Sequence, residues 1–346
     1  MLTQCFNACA QKENATRLGG RLIQAGEVVA FPTETVYGLG ADGLNPEAVR
    51  KIFELKGRPG DNPLILHVAR KSDVRRLWTQ VPPVAQRLMD ALWPGPLTLV
   101  YQRSDIVPDE VTAGLDTVAV RMPDHKTALA LIRAAERPVA APSANISGKP
   151  SPTLAEHVLE DFDGRIPLVI DGGPCRVGVE STVLSLEGVP TILRPGGVTR
   201  EMLEVLVGEV RLSPAVLHPL GEGESPSSPG MKYRHYAPSA ELVVVNGSAA
   251  KAAARIRQEV ERAEIEGRKC AILATKQTQS FYRGKRYVII GDRDCPDTLC
   301  ANLFAALRAL EGTADLIFAE QVGLRDSGLA FMNRLLRAAG FQTIEA

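Results

Sequence analysis

Polar and charged side chains gather in a few glycine- and proline-punctuated loops in the first ~200 residues of this 346-residue chain. Lys56-Gly57-Arg58-Pro59-Gly60-Asp61-Asn62-Pro63 sets two cations two residues apart, beside glycines that let backbone N–H groups approach a ligand. Lys brings a mobile point charge and Arg a planar fork, a pair suited to a polyphosphate. A solvated turn with helix-end cations favoured by the helix dipole accounts for the same residues. The spacing of a Walker A phosphate loop is absent.

Three more loops have this character. Phe31-Pro32-Thr33-Glu34-Thr35-Val36-Tyr37-Gly38-Leu39 follows an apolar strand-like run and offers four hydrogen-bonding side chains where α/β proteins tend to place sites. Ala141-Pro142-Ser143-Ala144-Asn145-Ile146-Ser147-Gly148 has small side chains that let a planar ligand or a phosphate near the backbone. A third loop runs from Gly172 through Cys175 to Glu180, Ser181 and Thr182. Arg121 and Arg194 end strand-like runs just before prolines, positions that suit a carboxylate or phosphate or, equally, a surface ion pair. His67 lies inside the apolar run LILHV, as a core histidine would. No nucleophilic triad is recognisable, and Glu34, Asp171 and Glu180 make no metal-ligand set. These loops are built for binding and orienting a ligand more than for covalent catalysis.

The elements that must position them alternate. Glu27–Phe31, Leu64–Val68, Leu97–Tyr101, Thr117–Arg121, Leu168–Ile170 and Ser181–Leu186 read as strands. Asn45-Pro46 opens a helix that Gly57 closes, with Val49, Ile52 and Phe53 as its apolar stripe. Thr153 and Thr199 are expected to cap two more. This is an α/β domain on a twisted sheet, expected over residues 1–212. Residues 213–238, rich in Pro, Gly and Ser, read as a linker. Residues 239–346 alternate short buried strands (Leu242–Val245, Ala271–Ala274, Val288–Ile290, Leu316–Phe318) with helices near 249–266, 298–310 and 329–339. That pattern predicts a small open parallel sheet, Rossmann-like but without a GxGxxG fingerprint.

Composition limits the classes. Forty Lys/Arg balance forty Asp/Glu, and aromatics are 5%, against a polybasic or aromatic-rich nucleic-acid binder. Residues 239–346 carry 15 Lys/Arg and 13 Asp/Glu, so charge does not separate between the halves. No apolar run spans a bilayer and no secretory leader is read, so a cytoplasmic protein with no membrane contact is expected. Cys5, Cys9, Cys175, Cys270, Cys295 and Cys300 form no CxxC; free thiols are expected, with Cys5 and Cys9 one helical turn apart.

Together the loops FPTETVYGLG, KGRPGDNPL, WPGPLT, APSANISGKPSPT, GVESTV and ILRPGG occur in the order found in the YrdC-like threonylcarbamoyl-AMP synthases. SPGMKYRHYAP and the second α/β domain resemble the long two-domain form of that family. The resemblance implies a reaction of L-threonine, bicarbonate and ATP, with Mg²⁺ carried on the ATP, to threonylcarbamoyl-AMP and pyrophosphate. A tRNA threonylcarbamoyl transferase complex would consume the product to modify tRNA; a weak direct contact of this chain with tRNA stays open.

The resemblance also implies residue roles. Thr35, His67, Arg121, Ala141 and Ser181 would contact threonine. Arg58, Asn62, Thr117, Ser143, Asn145, Ser151, Arg194 and Arg234 would contact ATP, and Lys56 and Arg58 would be the catalytic cations. No metal would be held by the protein itself. Arg234, in the linker, is expected to reach the nucleotide as part of a lid. Two other readings of the sequence stay open at this point: an RNA-binding protein without catalysis, and a carbamoyl-adenylate enzyme for another amine.

Overall fold

The computed structural model describes residues 2–218 and 236–346. They form two compact units, the first built from residues 2–147 and 151–216, the second chiefly from 236–346.

In the first unit eleven strands share one mixed sheet: β1 (Gln4–Asn7), β2 (Val29–Phe31), β3 (Gly38–Asp42), β4 (Ile65–His67), β5 (Leu97–Gln102), β6 (Thr117–Arg121), β7 (Val139–Ala140), β8 (Leu168–Asp171), β9 (Thr182–Ser185), β10 (Thr191–Arg194) and β11 (Arg211–Leu212). Their order is β1-β8-β2-β3-β7-β4-β6-β5-β9-β10-β11. Pairs such as β4 with β6 and β5 with β9 are parallel, whereas β5 with β6 and β9 with β10 are antiparallel. The helices are α1 (Ala8–Gln24), α2 (Pro46–Lys56), α3 (Val74–Leu77), α4 (Pro83–Leu92), α5 (Asp109–Thr112), α6 (Lys126–Ala135), α7 (Ala155–Phe162) and α8 (Arg200–Val207).

Side chains alternate across a strand, and the alternation divides the middle of this sheet into two unlike faces. Leu66, Leu97, Leu99, Val118, Val120 and Leu184 join the main core with Val49, Ile52 and Phe53 of α2 and Leu88 of α4. Ile65, Val100, Ala119 and Val183 point the other way and make a small separate apolar cluster. By the same alternation His67, Thr98, Thr117 and Arg121 share that second face.

In the second unit the order along the chain is β12 (Glu241–Asn246), α9 (Ala249–Ile265), β13 (Cys270–Thr275), β14 (Tyr287–Gly291), α10 (Pro296–Ala309), β15 (Leu316–Glu320), α11 (Gly328–Ala338) and β16 (Thr343–Glu345). The strands lie as β14-β13-β15-β12-β16, and every pairing is parallel. Val245, Ile256, Val260, Ile272 and Phe318 are among its core residues.

Asn45 caps α2 with its side-chain oxygen, and Gly57 ends it in the left-handed region at φ 60°. Thr199 caps α8 by accepting from Met202 N–H. Three expectations are corrected. Thr153 is not a helix cap: α7 follows Leu154, and the Thr153 N–H instead donates to His157 Nδ1 at 3.3 Å. Cys5 and Cys9 share no helix, because Cys5 lies on β1 and Cys9 on α1; both are exposed and all six thiols are free. Gly38 and Leu39, expected as loop, open strand β3. Its glycines have low strand propensity. Pairing with β2 on one side and β7 on the other holds it, with all five residues buried. A Cβ on Gly40 would fall 2.7 Å from both Phe31 and Val139, so only glycine fits between these neighbours.

The expected linker lies mostly outside the described residues, as does Arg234. Its first part forms a short 3₁₀ turn at Pro214–Val216. Among the described residues no helix is long and apolar enough to cross a membrane.

Candidate active site

Strand register builds the site. His67 on β4 lies opposite Arg121 on β6, which lies opposite Thr98 on β5. Thr98 lies opposite Val183 on β9, and Val183 opposite Arg194 on β10. One row across five strands therefore carries an imidazole, a guanidinium, a hydroxyl and a second guanidinium. The register of β10 shifts between Ile192 and Arg194, a bulge of the kind that re-aims a side chain. Arg194 Nε and Nη2 donate to the Ser181 carbonyl at 3.2 and 3.1 Å, and Nη2 also reaches Ser181 Oγ at 3.3 Å. Ser181 Oγ in turn lies 2.8 Å from Thr98 Oγ1. A Cβ on Gly196 would fall 2.3 Å from the Thr182 nitrogen, so the turn after Arg194 can lie against this backbone only as glycine.

Arg121 is buried and gripped on all three nitrogens. Nε donates to the Gly95 carbonyl at 3.3 Å, and Nη1 to Thr35 Oγ1 at 3.0 Å. Nη2 forms an ion pair with Glu34 Oε1 at 2.7 Å. Arg121 thus makes a buried ion pair rather than the surface one that its sequence position allowed. His67 is buried, with Nδ1 3.2 Å from the Ile65 carbonyl and its ring edge-on to Phe31. Burial, and then the nearby Arg121 charge, pushes its pKa down to about 3, so the imidazole is neutral at physiological pH.

The other loops converge through Tyr37. Its hydroxyl donates to the Gly173 carbonyl at 2.8 Å and accepts from Gly172 N–H at 3.1 Å. Its backbone binds Pro152 and Ala144, and Gly38 bridges to Ser143. Burial raises the Tyr37 pKa, which keeps the phenol a donor. Ser151 Oγ donates to Glu180 Oε1 at 2.5 Å, with both side chains buried.

Lys56 is not a solvated helix-end cation. It is 3% exposed, and its Nζ donates to the Ser143 and Asn145 carbonyls, tying α2 to the 141–148 loop. Arg58 is also buried; it donates to the Asn62 carbonyl at 3.2 Å and sits 5.9 Å from the centroid of the Phe53 ring. Asn62 is fully buried, yet neither end of its amide has a hydrogen-bond partner. Such an atom is costly to bury and marks a place where a ligand supplies the partner.

Thr35, His67, Arg121, Ser181 and Arg194 thus come together around one row, with Ala141 beside it: Ala141 N–H donates to the Ile65 carbonyl. Lys56, Ser143 and Asn145 form a second group, and Arg58 with Asn62 a third. Thr117 shares the face and strand of Arg121, four residues upstream, and no side-chain bond ties it to the others. Sequence reasoning assigned no role to Glu34, Thr98 or Glu180. Their signal was position only: Glu34 and Glu180 sit inside loops already chosen for their polarity, and Thr98 inside a strand read from its apolar run.

Among the described residues no group of His, Cys, Asp and Glu could hold a metal ion. The chemistry on offer is recognition of anions and of an amino acid by buried cations, hydroxyls and amides, without a protein nucleophile.

Comparison with known proteins agrees with this geometry. Residues 21–196 match the Sua5/YciO/YrdC family model, described as telomere recombination, and residues 198–340 match the threonylcarbamoyl-AMP synthase C-terminal domain. The chain is 49% identical over 335 residues to a threonylcarbamoyl-AMP synthase of Pyrococcus abyssi, covering 95% of both chains. It is 48% identical to one of Bacillus subtilis, over 93% of this chain and 92% of the relative. The crystal structure of the P. abyssi protein complexed with L-threonine superposes with a TM-score of 0.93 at 46% identity, over the whole of both chains. Its two-unit architecture, its loops and these full-length relatives agree: the chain belongs to the threonylcarbamoyl-AMP synthase family, in its two-domain form.

Proposed function

We propose that this chain is a nucleotidyltransferase that forms threonylcarbamoyl-AMP and pyrophosphate from L-threonine, bicarbonate and ATP, with Mg²⁺ arriving on the ATP as part of the substrate. The product would pass to a tRNA threonylcarbamoyl transferase complex. The observation that carries this reading is the buried row of His67, Arg121, Thr98 and Arg194 with Thr35 and Ser181 beside it. The P. abyssi relative complexed with L-threonine supports the choice of amino acid.

In this reading Arg121 takes the threonine carboxylate, and Thr35 and Ser181 orient its polar groups, with neutral His67 and the Ala141 backbone shaping the pocket. The neutral amine attacks carbon dioxide, formed from bicarbonate with loss of hydroxide, and gives up its proton to that hydroxide as water; the new N-carboxylate then attacks the α-phosphorus as the bond to the β-phosphate oxygen breaks. Pyrophosphate leaves toward Lys56 and Arg58. Asn62, Thr117, Ser143, Asn145, Ser151 and Arg194 hold the nucleotide, with Arg234 from residues 213–238, taken as the join between domains 1–212 and 239–346. The nucleophile comes from the substrate, so positioning does most of the catalysis; orientation alone supplies up to ~7–11 kcal/mol in favourable cases. The test is product analysis. Pyrophosphate and an acyl-AMP are expected only when threonine and bicarbonate are both present, and equal ATP turnover without threonine refutes the assignment.

A further inference from the structure

We infer that Glu34 is the positioning residue of the amino-acid site, holding the Arg121 guanidinium in its working orientation without touching substrate. The inference rests on the reading above for what Arg121 binds, but its geometry stands alone.

Each nitrogen of Arg121 is held by a different piece of chain: Nε and Nη1 by hydrogen bonds to Gly95 and Thr35, and Nη2, which makes no hydrogen bond, by its ion pair with Glu34. Only the third anchor is charged. Both side chains of that ion pair are buried, at 4% and 2% exposure. The Coulomb attraction is therefore weakly screened.

Glu34 itself is fixed from below. Thr33 Oγ1 accepts from Thr35 and Val36 N–H, both at 3.2 Å, and donates to the Val36 carbonyl at 2.6 Å. The Glu34 carbonyl accepts from Val177 N–H at 2.8 Å. Both carboxylate oxygens are shut off from solvent, and neither accepts a hydrogen bond. A carboxylate so poorly solvated is a poor choice for fold stability alone. Its one strong interaction is with Arg121. The other titratable groups near it are His125 and Cys175, both held neutral chiefly by burial.

The charge is thus what Glu34 contributes. Without it the guanidinium keeps two neutral anchors and swings, and a carboxylate ligand meets it in several orientations instead of one. A general-base role does not fit, since the oxygens face protein on every side.

The test has two readouts. In steady-state kinetics Glu34→Gln should raise the threonine KM about tenfold and leave the ATP KM within about twofold. Glu34→Asp, which keeps the charge, should stay within about threefold of wild type on both. In the unliganded protein the Arg121 Nε–H resonance in ¹⁵N NMR should be sharp and slow to exchange in the wild type and in Glu34→Asp, and broadened in Glu34→Gln. An unchanged or lowered threonine KM in Glu34→Gln overturns the inference, as does an equal rise in both KM values. If Glu34→Gln fails to fold, Glu34→Asp decides: a loss of the sharp Nε–H signal despite retained charge overturns it. A wild type that makes no product with threonine sinks the functional reading, while the NMR result still judges the clamp.

Discussion

Each of the two units carries a buried glutamate at a strand end, and the two are treated very differently. Glu320, at the end of β15 in the second unit, is fully matched. One oxygen accepts from the Thr278 and Tyr282 hydroxyls, and the other from Thr275 and from Arg293 at 2.6 Å. In the first unit Glu34 accepts no hydrogen bond at either oxygen, and Asn62 has an amide with no partner at either end. The carboxyl ends of a parallel sheet are where α/β proteins bind ligands, so position alone would nominate both places. Satisfaction separates them. A network complete in itself reads as structure; gaps mark the site, where the Asn62 amide awaits a ligand and the Glu34 carboxylate is matched only by the charge of Arg121.

The largest effect that could break this contrast is on stability. Glu320→Ala should destabilise the protein by about 3–5 kcal/mol, because it leaves the Arg293 charge uncompensated and the buried Tyr282 hydroxyl without its acceptor. The threonine and ATP KM values of the folded fraction should not move. Urea titration followed by kinetics checks both; a selective change in either KM would make the second unit part of the site.

Next comes Arg58→Ala. Loss of a charge-assisted contact to phosphate is worth about 1.5–3 kcal/mol, so the ATP KM should rise by roughly tenfold to a hundredfold, with threonine affected less. ATP titration at saturating threonine measures it. An ATP KM within twofold of wild type would return Arg58 to a packing role over Phe53.

Asn62→Ala sharpens the contrast from the opposite side. Removing a buried group that has no partner relieves an unsatisfied amide, so stability should change by less than about 1 kcal/mol. ATP use should nevertheless fall by about tenfold, because the ligand loses its hydrogen bonds. Loss of stability with unchanged ATP kinetics would show that Asn62 belongs to the fold.

What the sequence made legible follows from the range of each interaction. Helix α2 was plain because Asn45, Pro46 and Gly57 act on the residues beside them. The parallel sheet of the second unit was plain because its short apolar strands alternate with helices everywhere but between β13 and β14. Thr98 and Ser181 meet across 83 residues, and Glu34 and Arg121 across a similar gap, and no local pattern announces either pair. Strand β3 was missed because two neighbouring strands, not its own residues, hold it. The candidate residues were legible as a set through the order of their loops; which of them touch one another was not.

The last test concerns His67 and comes through pH. Its folded pKa of about 3 lies below the ~6.5 of an unfolded histidine. Between those values the unfolded chain binds a proton at this residue and the folded chain does not. Its contribution to stability is therefore complete above about pH 6.5 and is lost as pH falls toward 3, by up to ~1.4 kcal/mol per pH unit. Arg121, opposite it on β6, adds to the shift, and burial dominates. Other groups, such as His125, also titrate and shape the total slope. The comparison that isolates His67 is wild type against His67→Gln, which keeps a polar side chain of similar size. Unfolding free energies from urea titrations at pH 7.0, 6.0 and 5.0 should fall more steeply in the wild type, with the two proteins drawing together as pH drops. The slope difference should approach one proton below pH 6. Parallel slopes would mean that His67 takes up a proton in the folded state, and the neutral imidazole assigned to the amino-acid pocket would be wrong.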